Sequence, residues 1–355
     1  MKKTLMYLVA MFAFATVAGA QGWFRQPTPN DTLRSTVVLP DNSVVFQIYA
    51  PEAKSVAVAG DLPWDKPAKF VKEENGVWKG RIAAMTEGLY RYRFIVEGMS
   101  VYDPKAPSAS ETSALLSVAP KGDEFFAMKN VPHGAVAERY YWSQTLGTMR
   151  RMHVWTPAGY EKTAEKLPVL YLVHGGGDTD NSWPGVGAAG FILDNLMAEG
   201  KMKPMVVVMP NGTIEMPDGN FMGEVPLFAQ DMITDIIPFI EANYNVYTDQ
   251  DNRAMAGLSM GGMETRHITL ARPETFGYYG ILSGGVYTPE DNIDPTKVKG
   301  IFLSCGSKEY PDRINEAVEA LKAAGFNAKG YVSPGTAHEF QSWRRSLREM
   351  APMLF

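Results

Sequence analysis

Residues 253–263 read Arg253-Ala254-Met255-Ala256-Gly257-Leu258-Ser259-Met260-Gly261-Gly262-Met263. A short apolar run ends in a Gly-x-Ser-x-Gly pentapeptide, and residues 263–271 carry a helical sequence directly behind it. Strand, sharp turn, helix is what a nucleophile elbow requires. The turn forces the serine into a strained, exposed position, and the glycines remove side chains that would collide there. The pentapeptide alone is weak, since chance yields roughly one match in eight chains of this length. Its place between a strand and a helix gives it meaning.

Working outward, short apolar runs recur on both sides of the elbow, at Val169–Val173 and 205–209 before it and at Tyr278–Leu282, 299–304 and Ala328–Ser333 after it. Continuous apolar runs mark strands covered on both faces, as in parallel sheets. A hairpin over 140–146 and 149–156 precedes them. Phe228, Met232, Ile236 and Ile240 recur at helical spacing with a kink expected at Pro238, and 313–324 reads as a helix stopped by Gly325. Residues 137–355 are therefore expected to form an α/β domain with helices on both faces of a mostly parallel sheet.

The N-terminal part has another period. Val44, Phe46 and Ile48 alternate with Val45, Gln47 and Tyr49, and Tyr90, Tyr92 and Phe94 alternate with Arg91 and Arg93. Turn signals at Pro40-Asp41-Asn42, Asn75-Gly76 and Glu97-Gly98 fall at the spacing of an all-β, immunoglobulin-like sandwich, expected over 29–120. The stretch from Asp103 to about Val136, rich in Pro, Ser, Ala and Gly, reads as looser chain, with residues 121–136 as the linker between the two domains.

Met1-Lys2-Lys3, an apolar run over 5–17 and Ala18-Gly19-Ala20 form a signal peptide over 1–20, with Gln21 opening the mature chain. That run is too short to span ~30 Å of hydrocarbon. The chain is expected to be exported, to the periplasm or beyond. Its net charge of −5 leaves no basic excess to hold a phosphate backbone, so nucleic acid is not an expected partner. The single cysteine, Cys305, cannot form an internal disulfide or a multi-cysteine zinc site, and reads as a buried structural thiol. No metal-binding or nucleotide-binding motif occurs, so neither metal nor cofactor is expected.

A serine needs a base. Of the five histidines, His133 falls in the linker, His153 inside a strand, His174 at a strand end, and His267 two helical turns beyond Ser259. His338, in the loop after the last strand, holds the position of the base in the order serine, acid, histidine. The acid belongs after the strand at 299–304. Glu309 is the choice there, with Asp312 in reserve, to accept the other imidazole N–H and fix the tautomer. Two backbone N–H groups should hold the oxyanion, those of Met260 and of Gly176 in His174-Gly175-Gly176-Gly177. Trp183, in the loop after the triple glycine, is a candidate wall of the substrate slot.

Arg150-Arg151-Met152-His153-Val154-Trp155-Thr156-Pro157, residues 170–177, Asn211-Gly212, residues 257–263, Ser283-Gly284-Gly285 and residues 338–343 resemble carbohydrate esterase family 1, the α/β-hydrolases that include feruloyl and acetylxylan esterases. The resemblance implies Ser259 as nucleophile, His338 as base, and Met260 and Gly176 as oxyanion donors. Glu309 departs from the Asp usual in that family. Residues 50–56, Gly60-Asp61, Asn75-Gly76-Val77-Trp78 and Tyr90-Arg91-Tyr92 resemble family 48 carbohydrate-binding modules, with Trp64 and Trp78 able to stack on sugars or to pack internally. Together these imply a serine esterase releasing feruloyl or related cinnamoyl groups from plant xylan or arabinoxylan. An acetylxylan esterase with the same triad is the alternative. A sugar acyltransferase and a non-catalytic polysaccharide-binding protein stand behind it.

Overall fold

A computed structural model describes residues 26–63, 65–118, 125–215 and 221–355. The signal peptide and Trp64 lie outside the described residues. Among the described residues, eight strands make the N-terminal part. They are β1 (Thr36–Val38), β2 (Val44–Tyr49), β3 (Val56–Gly60), β4 (Lys69–Lys72), β5 (Val77–Ile82), β6 (Gly88–Val96), β7 (Met99–Val101) and β8 (Ala114–Val118). One sheet runs β1-β2-β5-β4; in the other, β3 pairs one edge of β6 while β7 and β8 pair the opposite edge. The alternation in β6 turns Tyr90, Tyr92 and Phe94 into the sandwich, where Tyr92 meets Phe46 and Phe94 edge to face at 5.3 and 5.9 Å. The intervening arginines face outward.

The second part is an eight-stranded sheet of β9 (Ala135–Ser143), β10 (Thr148–Thr156), β11 (Val169–Val173), β12 (Val206–Pro210), β13 (Arg253–Leu258), β14 (Tyr278–Leu282), β15 (Gly300–Gly306) and β16 (Ala328–Ser333). Counted from β9, the spatial order is 1-2-4-3-5-6-7-8, and β10 alone is reversed relative to the rest, antiparallel to both β9 and β12. This is the arrangement of an α/β-hydrolase. β9 begins two residues inside the stretch read as linker, because its outward residues are exposed and leave no apolar alternation to read.

Every residue of β11, β12, β13 and β15 is buried. Val169, Tyr171 and Val173 face one core, and Leu170 and Leu172 the other. The first core is closed by α2 (Phe221–Asp231), α3 (Ile237–Asn243), α4 (Met260–Ala271) and α5 (Pro311–Ala323). The second is closed by α1 (Ala189–Ala198) and α6 (Phe340–Met350). A π-helical turn, Met232–Ile236, joins α2 to α3 immediately before Pro238. Proline has no N–H for the carbonyl four residues back, and the wider turn absorbs the break.

The sandwich docks on the sheet's C-terminal edge through β6. Gln341 of α6 donates to the Tyr90 hydroxyl at 2.9 Å. Arg91 lies 5.4 Å over the Phe340 ring, pairs with Asp61 at 2.8 Å, and also bonds Asp178 in the loop after β11. From the other side, Arg151 of β10 reaches Glu111 and, at 2.8 Å, Asp180.

Candidate active site

Because β11, β13, β14, β15 and β16 are parallel, the loops leaving their C-terminal ends gather along one edge of the sheet. Ser259 stands between β13 and α4 with φ 51° and ψ −114°, a conformation that costs a non-glycine residue about 1–3 kcal/mol. The glycines around it make the turn possible. A Cβ on Gly257 would lie 2.1 Å from the Gly261 carbonyl oxygen, and one on Gly261 would lie 2.4 Å from that of His174. The Gly261 N–H donates to the same His174 carbonyl at 3.1 Å, which clamps the start of α4 to the triple-glycine loop.

His338, on the loop after β16, brings Nε2 to 2.9 Å from Ser259 Oγ. Its Nδ1 lies 2.8 Å from Glu309 Oε1. An ionised carboxylate only accepts, so Nδ1 carries the proton and Nε2 is left to accept from the serine hydroxyl. The other Glu309 oxygen takes the Gly306 N–H at 2.6 Å and the Ser283 hydroxyl at 2.8 Å. Ser283 in turn accepts the Trp343 indole N–H at 3.1 Å. Burial alone would raise the Glu309 carboxyl, but the hydrogen bonds from His338, Gly306 and Ser283 hold it below its ordinary value. It is an anion held by three hydrogen bonds, one on Oε1 and two on Oε2. The Glu309 side chain is 7% exposed and that of His338 is 48% exposed, so the anion is buried and the imidazole opens to solvent.

Asp312 is exposed on the first turn of α5, where a carboxylate suits the helix dipole, and it is not the partner of His338. Met260 heads α4, and first-turn N–H groups have no acceptor within their own helix. Gly176 is exposed and adjacent, since a Cβ built on it would come 3.9 Å from Met260 Cβ. The head of α4 and the triple-glycine loop thus adjoin each other beside Ser259.

Trp183 does not wall a substrate slot. It is 1% exposed, its indole N–H donates to the Val173 carbonyl at 3.1 Å, and its ring meets Phe340 edge on. Its place directly after a catalytic-type loop suggested a surface role, but the loop folds inward and the indole plugs the core under α6. The remaining histidines have structural partners or face solvent. His153 meets Asp180 at 2.8 Å, while His174 is buried between the Gly175 carbonyl and the Gly212 N–H. His133 lies between Asp194 and the Lys129 carbonyl, and His267 is exposed on α4. Cys305 is buried, which pushes its thiol up. Trp78 is half-buried with its N–H on the Ala50 carbonyl. Ser283 and Trp343, the far end of the relay, were not singled out as functional. The only trace of Ser283 in the sequence is the Ser-Gly-Gly at the end of β14.

Two hollows flank the site. One, of about 200 Å³, lies between His338, Trp343 and the sandwich residues Asp61 and Arg91. The other, of about 810 Å³, lies between Gly177 and Asp178 on one side and Arg91, Arg93 and Glu111 on the other. Part of the wall of the hollow beside His338 is therefore built by the N-terminal sandwich.

Comparison with known proteins follows the same division. Residues 34–106 match carbohydrate-binding module 48, the isoamylase N-terminal domain. An endo-1,4-beta-xylanase/feruloyl esterase of Xylanibacter ruminicola is 45% identical over 323 residues, covering 87% of this chain and 44% of that protein. The chain thus spans less than half the length of that relative. The solved ferulic acid esterase of Anaeromyces mucronatus in complex with ferulic acid shares the fold with TM-score 0.56 and 23% identity, over 64% of this chain and 93% of that one. The enterobactin esterase of Shigella flexneri, at TM-score 0.60 and 18% identity, shares it over 88% of this chain and 92% of its own. Residues 143–354, which hold the serine, the histidine and the glutamate, match the putative esterase family over more than half of the chain, and the chain belongs to that family.

Proposed function

We propose that the protein is an exported serine esterase that cleaves feruloyl or related hydroxycinnamoyl esters from xylan or arabinoxylan through an acyl-enzyme. The observation that carries this reading is the unbroken hydrogen-bond chain from Ser259 through His338 to Glu309. Ser259 Oγ attacks the ester carbonyl as its proton passes to His338 Nε2, and Glu309 stabilises the imidazolium. The oxyanion meets the N–H groups of Met260 and Gly176 at the positive end of α4, and each such donor is worth about 3 kcal/mol. As the tetrahedral carbon collapses, the same proton goes to the departing sugar oxygen. Water, deprotonated by His338, then releases the acid and restores the serine.

The substrate class rests on the likeness to the xylanase/feruloyl esterase and on the match of the sandwich to a carbohydrate-binding module. The polar hollow between Gly177 and Arg93 supports it, since sugar hydroxyls need the mixed donors and acceptors found there. Export rests on residues 1–20. The test is turnover of methyl ferulate, feruloylated arabinoxylan and acetylated xylan by the mature chain and by Ser259→Ala. Turnover of the feruloyl substrates, lost by at least about 10³-fold in Ser259→Ala, is expected. Activity confined to acetylated xylan would refute the acyl preference, and a variant of unchanged activity would refute the nucleophile. Amino-terminal sequencing of the exported protein should begin at Gln21.

A further inference from the structure

We propose that the seam between the sandwich and α6 holds a binding site for a small carboxylate, built around the Arg344 guanidinium. Arg344 is 1% exposed. Its Nη1 donates to the Val186 carbonyl at 2.8 Å and its guanidinium lies 4.8 Å over the Phe126 ring, yet its buried Nε has no hydrogen-bond partner. Buried arginines are ordinarily met by a carboxylate or by several carbonyls. Among the described residues no carboxylate oxygen comes within ion-pair distance of Arg344, and Glu339 and Asp61 act on it only from farther away. Burial draws its pKa down to about 10, so it stays charged at neutral pH. A second guanidinium, Arg345, stands beside it. That side chain is partly exposed and bonded to the Pro334 carbonyl and the Ser333 hydroxyl, both uncharged.

Both arginines line one cavity of about 170 Å³, together with Thr86, Gln341 and the edge-to-face pair Phe125 and Phe126. The space is smaller than the ~300–1,000 Å³ of sites for drug-sized ligands and suits an acid carrying one ring. Thr86 and Gln341 add polar contacts, and the two phenylalanines give an apolar wall. Glu87 stands at the same cavity, and its like charge favours a monoanion over a doubly charged phosphate or sulfate. The carboxylate has two chemical sources, a uronic-acid substituent on a polysaccharide or a free aryl acid. The site uses neither Ser259 nor His338.

The test is thermal unfolding of the full mature chain at constant ionic strength with sodium benzoate, sodium glucuronate or sodium chloride. A saturable rise in Tm with benzoate or glucuronate, beyond that with chloride, is expected, and the more effective anion identifies the source. Arg345→Gln, at the cavity's open side, should fold normally and raise the apparent Kd at least tenfold. Arg344→Met should abolish the response while leaving the anion-free Tm unchanged or higher, because it removes a charge that has no counter-ion among the described residues. An equal response to chloride, no response to either organic anion, or undiminished affinity in Arg345→Gln would each overturn the site. A large fall in the anion-free Tm of Arg344→Met with the benzoate or glucuronate response intact would make the arginine a strut and would also overturn it.

Discussion

Glu309→Gln is the sharpest probe of the relay. In the wild type, one carboxylate oxygen faces a fixed backbone donor, Gly306 N–H at 2.6 Å, as well as the Ser283 hydroxyl, and the other faces His338 Nδ1 at 2.8 Å. A carboxamide has a single oxygen. Placing its NH₂ against the Gly306 N–H would set donor against donor in a buried space, so the oxygen takes that side and the NH₂ turns to the imidazole. His338 Nδ1 must then accept, the proton moves to Nε2, and the atom facing Ser259 is no longer a base. Carboxylate-to-amide changes that impose the wrong tautomer lower kcat by about 10⁴-fold, or ~5.5 kcal/mol of barrier. KM for a soluble methyl hydroxycinnamate should change little, because the ester touches Glu309 only through the histidine. Glu309→Asp, which withdraws the carboxylate by one methylene, should lose about 10²-fold, as misplacements of ~1 Å do. The assay is steady-state hydrolysis with Tm measured in parallel. A folded Glu309→Gln protein keeping more than a tenth of wild-type kcat would refute the assignment of the acid.

Other expectations follow from single contacts. Trp183→Ala should cost about 3–5 kcal/mol in denaturant unfolding, as loss of a buried indole does, with KM for the ester unchanged in the protein that still folds. Gly261→Ala should lose most activity and stability, since its methyl would sit 2.4 Å from the His174 carbonyl oxygen, whereas Gly176→Ala, with 3.9 Å to its nearest neighbour, should keep its fold and its backbone donor; circular dichroism and kcat separate the two. Burial would raise the Asp180 carboxyl, yet His153 and Arg151 hold it below its ordinary value. A group depressed by folding stabilises above its unfolded pKa of about 3.9 and loses that contribution as pH falls through the folded value. Asp180→Asn should therefore be less stable than wild type at pH 7, with the difference shrinking in acid titrations followed by fluorescence.

What could be read from the chain was local. Val169-Leu170-Tyr171-Leu172-Val173 is apolar at every position because both faces of β11 are covered, and the strand's bounds are those of the run. The elbow was legible because its glycines answer to contacts within a few residues, and His338 because loop order along a parallel sheet is fixed by topology. Glu309 could be narrowed to one loop but not separated from Asp312 until the turn after β15 aimed one side chain inward. α1 left no start signal, since Ala188 precedes it with φ 49° and no capping side chain. Trp183 misled because a loop beside a reactive serine can fold either way, and only the packing of Phe340 against it decides. The pairing of Ser283 with Glu309, and of Arg91 with Asp178 across 87 positions, depends on tertiary geometry that no local pattern encodes.

The tie that Arg91, Tyr90 and Phe126 make to the hydrolase half bears on how this protein can be engineered. Excising the catalytic portion would strip Asp178, whose side chain is 5% exposed, of its cation, and would bare Gln341 to water. It would also uncover the ring beneath Arg344. A minimal catalyst cut from this protein would need its newly wetted face redesigned before it behaved as a stand-alone unit, so the two modules are better transplanted as one cassette.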